Sequence, residues 1–301
     1  MSAPEATPAV PPLSKTASLV RVGIAYACAI AAAAAWLLWG PATSTLLLDV
    51  LIADLIATVV IFIASRIHRN SSFYDAWWSV GPPLMAAWWW FAEGGGEPAR
   101  FALLSVVLIA WSVRLTGNWA YGFPGLHHED WRYREVRARA GRFAVLGDLF
   151  GIHVVPTLQV FAGMLAVYVV ATRGSEPVGW LDLAAVVVGA GAVVIEAVAD
   201  SQMHRFVRRR APGEVMESGL WAWSRHPNYF GETMFWTALA LFALAADPGA
   251  WWVVAGPAVM LVVFFGFSIP MMEKRSLERR PGYAEVVRRV SVFVPLPPRL
   301  G

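Results

Sequence analysis

Apolar runs long enough to cross a lipid bilayer constrain this 301-residue chain more than any other feature. About 20 consecutive apolar residues suffice for a helical crossing. Such runs occupy 19–39, 44–64, 76–92, 101–121, 150–172, 179–199, 231–246 and 250–270. Two are short or interrupted: Gly81-Pro82-Pro83 breaks the third, and Asp247-Pro248-Gly249 closes the seventh. Charged residues make up 15% of the chain, against about a quarter in soluble proteins. Inside hydrocarbon the backbone must satisfy its own hydrogen bonds, which favours helices over open strands. The pattern predicts an all-α, polytopic integral membrane protein with seven to eight transmembrane helices.

Residues 1–18 read as a disordered leader, Pro- and Ala-rich over 1–13, and 19–301 as a single membrane-embedded domain. A cleavable signal peptide fits poorly, because the first apolar run is long and a second follows closely. With eight spans, 21 of the 24 Lys and Arg fall on the side that holds both termini. The positive-inside rule then puts both termini in the cytoplasm, the inner membrane of a bacterium being the expected site. The long loops 122–149, 200–230 and 271–301 lie on that same side, where a polar ligand would bind.

Cysteine usage excludes two classes of chemistry. Cys28 is the single cysteine, so an intrachain disulfide and a CxxC zinc motif are both ruled out. His127-His128 reads as a solvated loop pair, and no metal site is expected. The basic residues are mostly Arg, which suits phosphate. They stand in short loops between spans, so nucleic acid is not an expected partner, and no obligate protein partner is inferred.

The densest polar chemistry is the run Ser224-Arg225-His226-Pro227-Asn228-Tyr229-Phe230-Gly231-Glu232, which leads into an apolar segment. Guanidinium, imidazole, amide, phenol and carboxylate at a membrane edge point to a site for a large, polar, anionic ligand. Arg114 lies in the fourth span with Asn118 one turn later on the same face. The pair is either a grip for phosphate or amide, or a side chain snorkelling to the headgroups. Glu196 and Asp200, one turn apart, suit ribose hydroxyls or orient arginines. The following basic run, including Arg208, Arg209 and Arg210, suits a phosphate or a lipid headgroup patch. The loop Tyr121–Arg134, with Arg132, is an interfacial amphipathic helix or a direct ligand contact. Tyr74-Asp75 precedes a Trp-rich span, and a carboxyl partly buried there is either interfacial or a proton donor. Gly189-Ala190-Gly191 imitates a dinucleotide fingerprint, but it lies inside an apolar run and reads as helix-packing small residues.

Gly125–Tyr133 and Arg225–Glu232 together resemble the membrane steroid 5α-reductase superfamily, in its bacterial DUF1295-type branch of membrane reductase-like proteins. The resemblance covers roughly 70–298. It implies NADPH-dependent reduction of the C=C bond of a lipid enone, a 3-oxo-Δ4-steroid being the type substrate, entering from the bilayer. Cofactor contacts carry over to Arg114, Asp200, Asn228, Glu232 and Glu273. Asn118, Arg132, Glu196, Arg208, Arg210, Arg225, His226 and Tyr229 join them as candidates from the residues themselves. The carbonyl-polarising acid falls at Asp75, with Tyr74 beside it. The family's partner Tyr falls at Trp111, a departure, since an indole N–H donates a hydrogen bond but delivers no proton. A rival resemblance, to isoprenylcysteine carboxyl methyltransferases, shares the Arg-His-Pro-x-Tyr-x-Gly run and implies S-adenosylmethionine. Asn228, Glu232 and the tail Glu273-Lys274 follow the reductase pattern.

Overall fold

The computed structural model describes residues 13–174 and 176–299. Among them helix is the dominant element, and the strand pairing is an isolated bridge between Ser224 and Ser291. Among the described residues, seven helical stretches are long and apolar enough to cross a membrane: Lys15–Trp39, Leu46–His68, Pro98–Gly122, Trp131–Thr172, Trp180–Arg209, Pro227–Ala246 and Pro248–Arg279. The all-α membrane architecture expected from the apolar runs is therefore present. Its contacts gather into two compact units. Unit one is the chain through Trp77 with Trp119–Pro156; unit two is Trp78–Asn118 with the chain from Thr157 onward.

In unit one, α1 (Lys15–Trp39) and α2 (Leu46–His68) form a hairpin. The expected leader 1–18 is shorter at its end, because the Ser14 side chain accepts from the Ala17 N–H and starts α1 at Lys15. Its remainder, 1–12, lies outside the described residues. Arg69 closes α2 in the left-handed region, and Asn70–Trp77 is buried except at Asp75. Asn70 anchors this segment by donating to the Leu126 and His128 carbonyls. The Ser71 N–H donates to Glu129 and its hydroxyl to Asp148. Asp148, buried at 1% exposure, also takes Arg66 and Arg137. Arg137 pairs with Glu129 as well. Arg66 and Arg137 thus hold this part of unit one together. The short α5 (Trp131–Ala140) buries no whole residue, as an interfacial helix would.

Unit two is built around α8 (Trp180–Arg209) and α9 (Pro227–Ala246), with α4 (Pro98–Gly122) contributing its residues up to Asn118. Trp89, Trp111, Trp236, Phe235 and Phe242 fill its core. The Gly-Pro-Pro break expected in the third run is not a break: α3 runs without interruption from Trp77 to Ala92 through Pro82 and Pro83. Pro83 has no N–H for the Ser79 carbonyl one turn back. The Ser112 hydroxyl of α4 supplies that hydrogen bond instead, at 2.7 Å, the remedy that lets proline persist in membrane helices. The Gly189 region is continuous helix, and a Cβ at Gly189 would meet Val107 at 2.6 Å and Ala238 at 3.2 Å. Helix packing is its use.

Two charged clusters mark α8. Near its start, Asp182 receives Arg100 through Nε at 2.7 Å and Nη2 at 3.1 Å. Arg100, 1% exposed, also donates to the Glu176 and Pro177 carbonyls. Asp200 lies 18 residues further on, ~27 Å at the rise of an α-helix. That separation is close to the ~30 Å of bilayer hydrocarbon, so the polar clusters stand at the two ends of the apolar stretch.

Candidate functional site

The second cluster gathers residues that are far apart in sequence onto one guanidinium. Arg114 reaches in from α4 and bonds Glu196 through Nη2. Its Nη1 donates to Asp200 at 3.1 Å, and Nη2 stands 3.9 Å from Glu232. The Asn118 amide, one turn along α4, donates to the same Asp200 oxygen at 3.0 Å. Arg114 and Asn118 therefore form a grip, and in this structure the grip holds carboxylates. Glu196 is 2% exposed, while Asp200 is the member most open to solvent.

Glu232 is clasped by two indoles. Trp111 Nε1 donates to one carboxylate oxygen at 3.1 Å and Trp236 Nε1 to the other at 2.8 Å. Trp111 is fully buried and stacks on Phe235 at 4.5 Å. Expected as the donor to a substrate carbonyl, Trp111 has its N–H engaged by Glu232. Trp236 gave no signal of its own in the sequence; its position one turn after Glu232 was the available clue. Gly231 lets α9 approach α8 here, since a Cβ would meet Glu196 Cγ at 2.5 Å.

Among the described residues, polar groups at this cluster are left without hydrogen-bond partners. Glu196 Oε1 and Arg114 Nε are buried without hydrogen bonds. The half-buried Asn228 amide makes no hydrogen bond to a described residue, and it stands one turn before Glu232 on α9. Buried groups left unbonded cost about 1–3 kcal/mol each. Groups of this kind are what a polar ligand satisfies.

The first half of the 224–232 run has a different task. Arg225 donates to Glu273 at 2.7 Å and to the carbonyls of Val287 and Val290 at 3.0 and 2.7 Å. The Ser224 hydroxyl donates to the Phe293 carbonyl, and the Arg225 N–H to that of Ser291. His226 Nε2 lies 3.2 Å from Glu273. Arg225, His226 and Glu273, expected at a cofactor, bond one another and fasten the C-terminal segment. Tyr229 stacks between His226 and Phe264, with centroids at 5.4 and 4.4 Å.

Arg208 and Arg210 lie at the exposed end of α8. Burial, with Arg210 and Arg279 nearby, holds the Arg280 guanidinium below its ordinary value. Like charges gathered this way suit an anion.

Unit one contains the other candidates. Asp75 accepts a hydrogen bond from the Tyr133 phenol. Burial pushes the Asp75 carboxyl up to about 6, with the Tyr133 bond and Arg132 opposing that rise. Arg132 is forked onto Asp130, at 3.0 and 2.8 Å. Tyr74 is 3% exposed, its ring 5.1 Å from that of His153. Tyr133 was visible in the 121–134 loop, but its pairing with an acid 58 residues earlier had no local signature.

A family model described as "Protein of unknown function (DUF1295)" matches residues 61–290. "Uncharacterized protein C594.04c" of Schizosaccharomyces pombe is 26% identical over 253 residues, 75% of this chain and 73% of that protein. No solved structure matches the chain.

Proposed function

The chain belongs to the DUF1295 family, and from that premise we propose that it is an NADPH-dependent membrane reductase of the C=C bond of a lipid enone. A 3-oxo-Δ4-steroid is the type substrate. The observation that carries this reading is the half-buried Asn228 amide one turn before Glu232, together with the unpartnered Glu196 Oε1. A carboxamide needs a donor for its oxygen and acceptors for its NH2 group. Asn228 is the donor, and Glu196 and Glu232 are the acceptors. The basic group Arg210, Arg279 and Arg280 is the proposed seat for phosphate, which favours NADPH over NADH.

NADPH, when bound, supplies hydride to the β-carbon of the enone, and a proton completes the saturated ketone with NADP+ as the second product. Asp75, with a carboxyl raised by burial and bonded to Tyr133, is the proposed acid for the carbonyl oxygen. The substrate enters from the bilayer, and the nucleotide from the cytoplasm.

One observation favours a second reading. Three carboxylates around one guanidinium suit the sulfonium of S-adenosylmethionine, as in a membrane methyltransferase. Calorimetric titration of the purified protein with NADPH, NADH and S-adenosylmethionine separates the two. NADPH is expected to bind at least about tenfold tighter than NADH, the worth of one charge-assisted phosphate contact. Asn228→Ala and Glu232→Ala are expected to weaken NADPH while leaving the fold intact. Binding of S-adenosylmethionine in preference to both nicotinamide nucleotides would remove the reductase reading.

A further inference from the structure

The charge at the Arg114 cluster does not balance. Glu196, Asp200 and Glu232 bring three carboxyl groups to a single guanidinium. The remaining contacts, from Asn118, Trp111 and Trp236, are neutral donors. His204, one turn past Asp200, is the other group of cationic capacity within its electrostatic reach. Arg225 is engaged by Glu273 and the tail carbonyls. Even with His204 protonated, acids outnumber bases.

The second observation concerns one atom. Glu196 Oε1 is buried with no donor from another residue, and the polar neighbour acting on Glu196 beside Arg114 is another acid, Glu232, close enough that the pair is satisfied only by sharing a proton. In a low-dielectric setting an unsatisfied carboxylate oxygen facing a second carboxylate is costly. A bound cation replaces that shared proton and relieves both defects at once.

We propose that this pocket receives the cationic end of a nucleotide cofactor: an onium monocation, which in the reductase reading is the pyridinium ring of NADP+. The inference rests on a nucleotide being the ligand. It adds that the acids discriminate by charge, holding the oxidised nicotinamide more tightly than the reduced one. The same surplus lowers the energy of positive charge as it develops on the ring, so Glu196 and Asp200 act on the redox balance of the bound pair. The sulfonium of S-adenosylmethionine presents the same charge and is distinguished by the test below.

The test compares affinities rather than turnover. Dissociation constants for NADP+ and NADPH are measured by calorimetry on wild type, Glu196→Gln and Asp200→Asn. S-adenosylmethionine and its uncharged product S-adenosylhomocysteine form a parallel pair. Both substitutions keep size and an oxygen for Arg114 while removing one charge. Asp200, the more exposed, guards against a Glu196 variant that fails to fold, and Glu285→Gln serves as a remote control.

Each acid variant is expected to shift the NADP+ to NADPH affinity ratio about tenfold toward NADPH, as expected for one partly screened charge. The control is expected to leave the ratio unchanged. If both nucleotides bind and the ratio moves by less than about twofold, the charge inference fails while the reductase reading survives. If only the S-adenosyl pair binds, with charge preference lost in the variants, the reductase reading fails and the cation pocket stands. If neither pair binds wild type, or the pair that binds shows no charge preference, the cation pocket is overturned.

Discussion

Asp75 shows how much one half-buried acid governs. Its carboxyl is raised from the ordinary 3.8 to about 6, chiefly by burial. Between those values the folded chain binds more protons than the unfolded one, so stability is greatest in acid and falls as pH rises through about 6. Asp75→Asn retains the acceptor for the Tyr133 phenol and removes the charge. The variant is expected to match wild type near pH 4 and to exceed it near pH 7.5 by on the order of 1–2 kcal/mol. Thermal melts in detergent across that range check it; equal slopes for both proteins would mean that the Asp75 carboxyl is not raised in the fold. Asn228 and Glu232 were both legible as residues, because amide and carboxylate one turn apart on a membrane-edge helix are conspicuous. Trp111 was legible as polar but not as a clasp, since its acceptor lies 121 residues away.

Helix against helix, the site depends on how closely α8 and α9 approach. Gly231 and Gly191 test this as a pair with opposite outcomes. A methyl at Gly231 meets Glu196 Cγ at 2.5 Å and the Ala192 carbonyl at 3.1 Å, while one at Gly191 meets nothing within 4 Å. Gly231→Ala is therefore expected to destabilise by about 1–3 kcal/mol through overpacking, and to weaken ligand binding as Glu196 is displaced. Gly191→Ala is expected to be neutral or to stabilise by up to about 1 kcal/mol through helix propensity. Unfolding midpoints decide between this and equal effects, which would deny the close approach. Helices were the most legible part of the chain, since each apolar run became one. The Gly-Pro-Pro segment misled because the bond that rescues its carbonyl comes from Ser112 on another helix. Arg225 is legible as a residue that suits phosphate, while its acceptors here, Glu273 and the Val287 and Val290 carbonyls, are announced by no local pattern.

For the whole molecule, topology turns on the shortest helix. Seven helical stretches meet the length and hydropathy of a crossing, and α3 at 16 residues does not. Its length is ~24 Å at the α-helical rise, a little short of the hydrocarbon, and a modest local thinning accommodates such a deficit. Loop charge decides the matter. Counting α3 as a crossing places Arg132–Arg142, Arg205–Arg225 and the chain from Lys274 on one side, with 21 of the 24 basic residues. Omitting it keeps those three groups together, with 17 of the 24, but moves Lys15, Arg21, Arg66 and Arg69 to the opposite face, which weakens the bias that orients membrane proteins. Eight crossings with both ends cytoplasmic are therefore expected. With Cys28→Ser as background, single cysteines at Lys15 and Arg280, on either side of α3 in the sequence, should resist a membrane-impermeant maleimide in intact cells and react after lysis. A cysteine at Glu176 should react in intact cells. Labelling of Lys15→Cys and Arg280→Cys from opposite sides would instead give an odd number of crossings between them and remove α3 from the count.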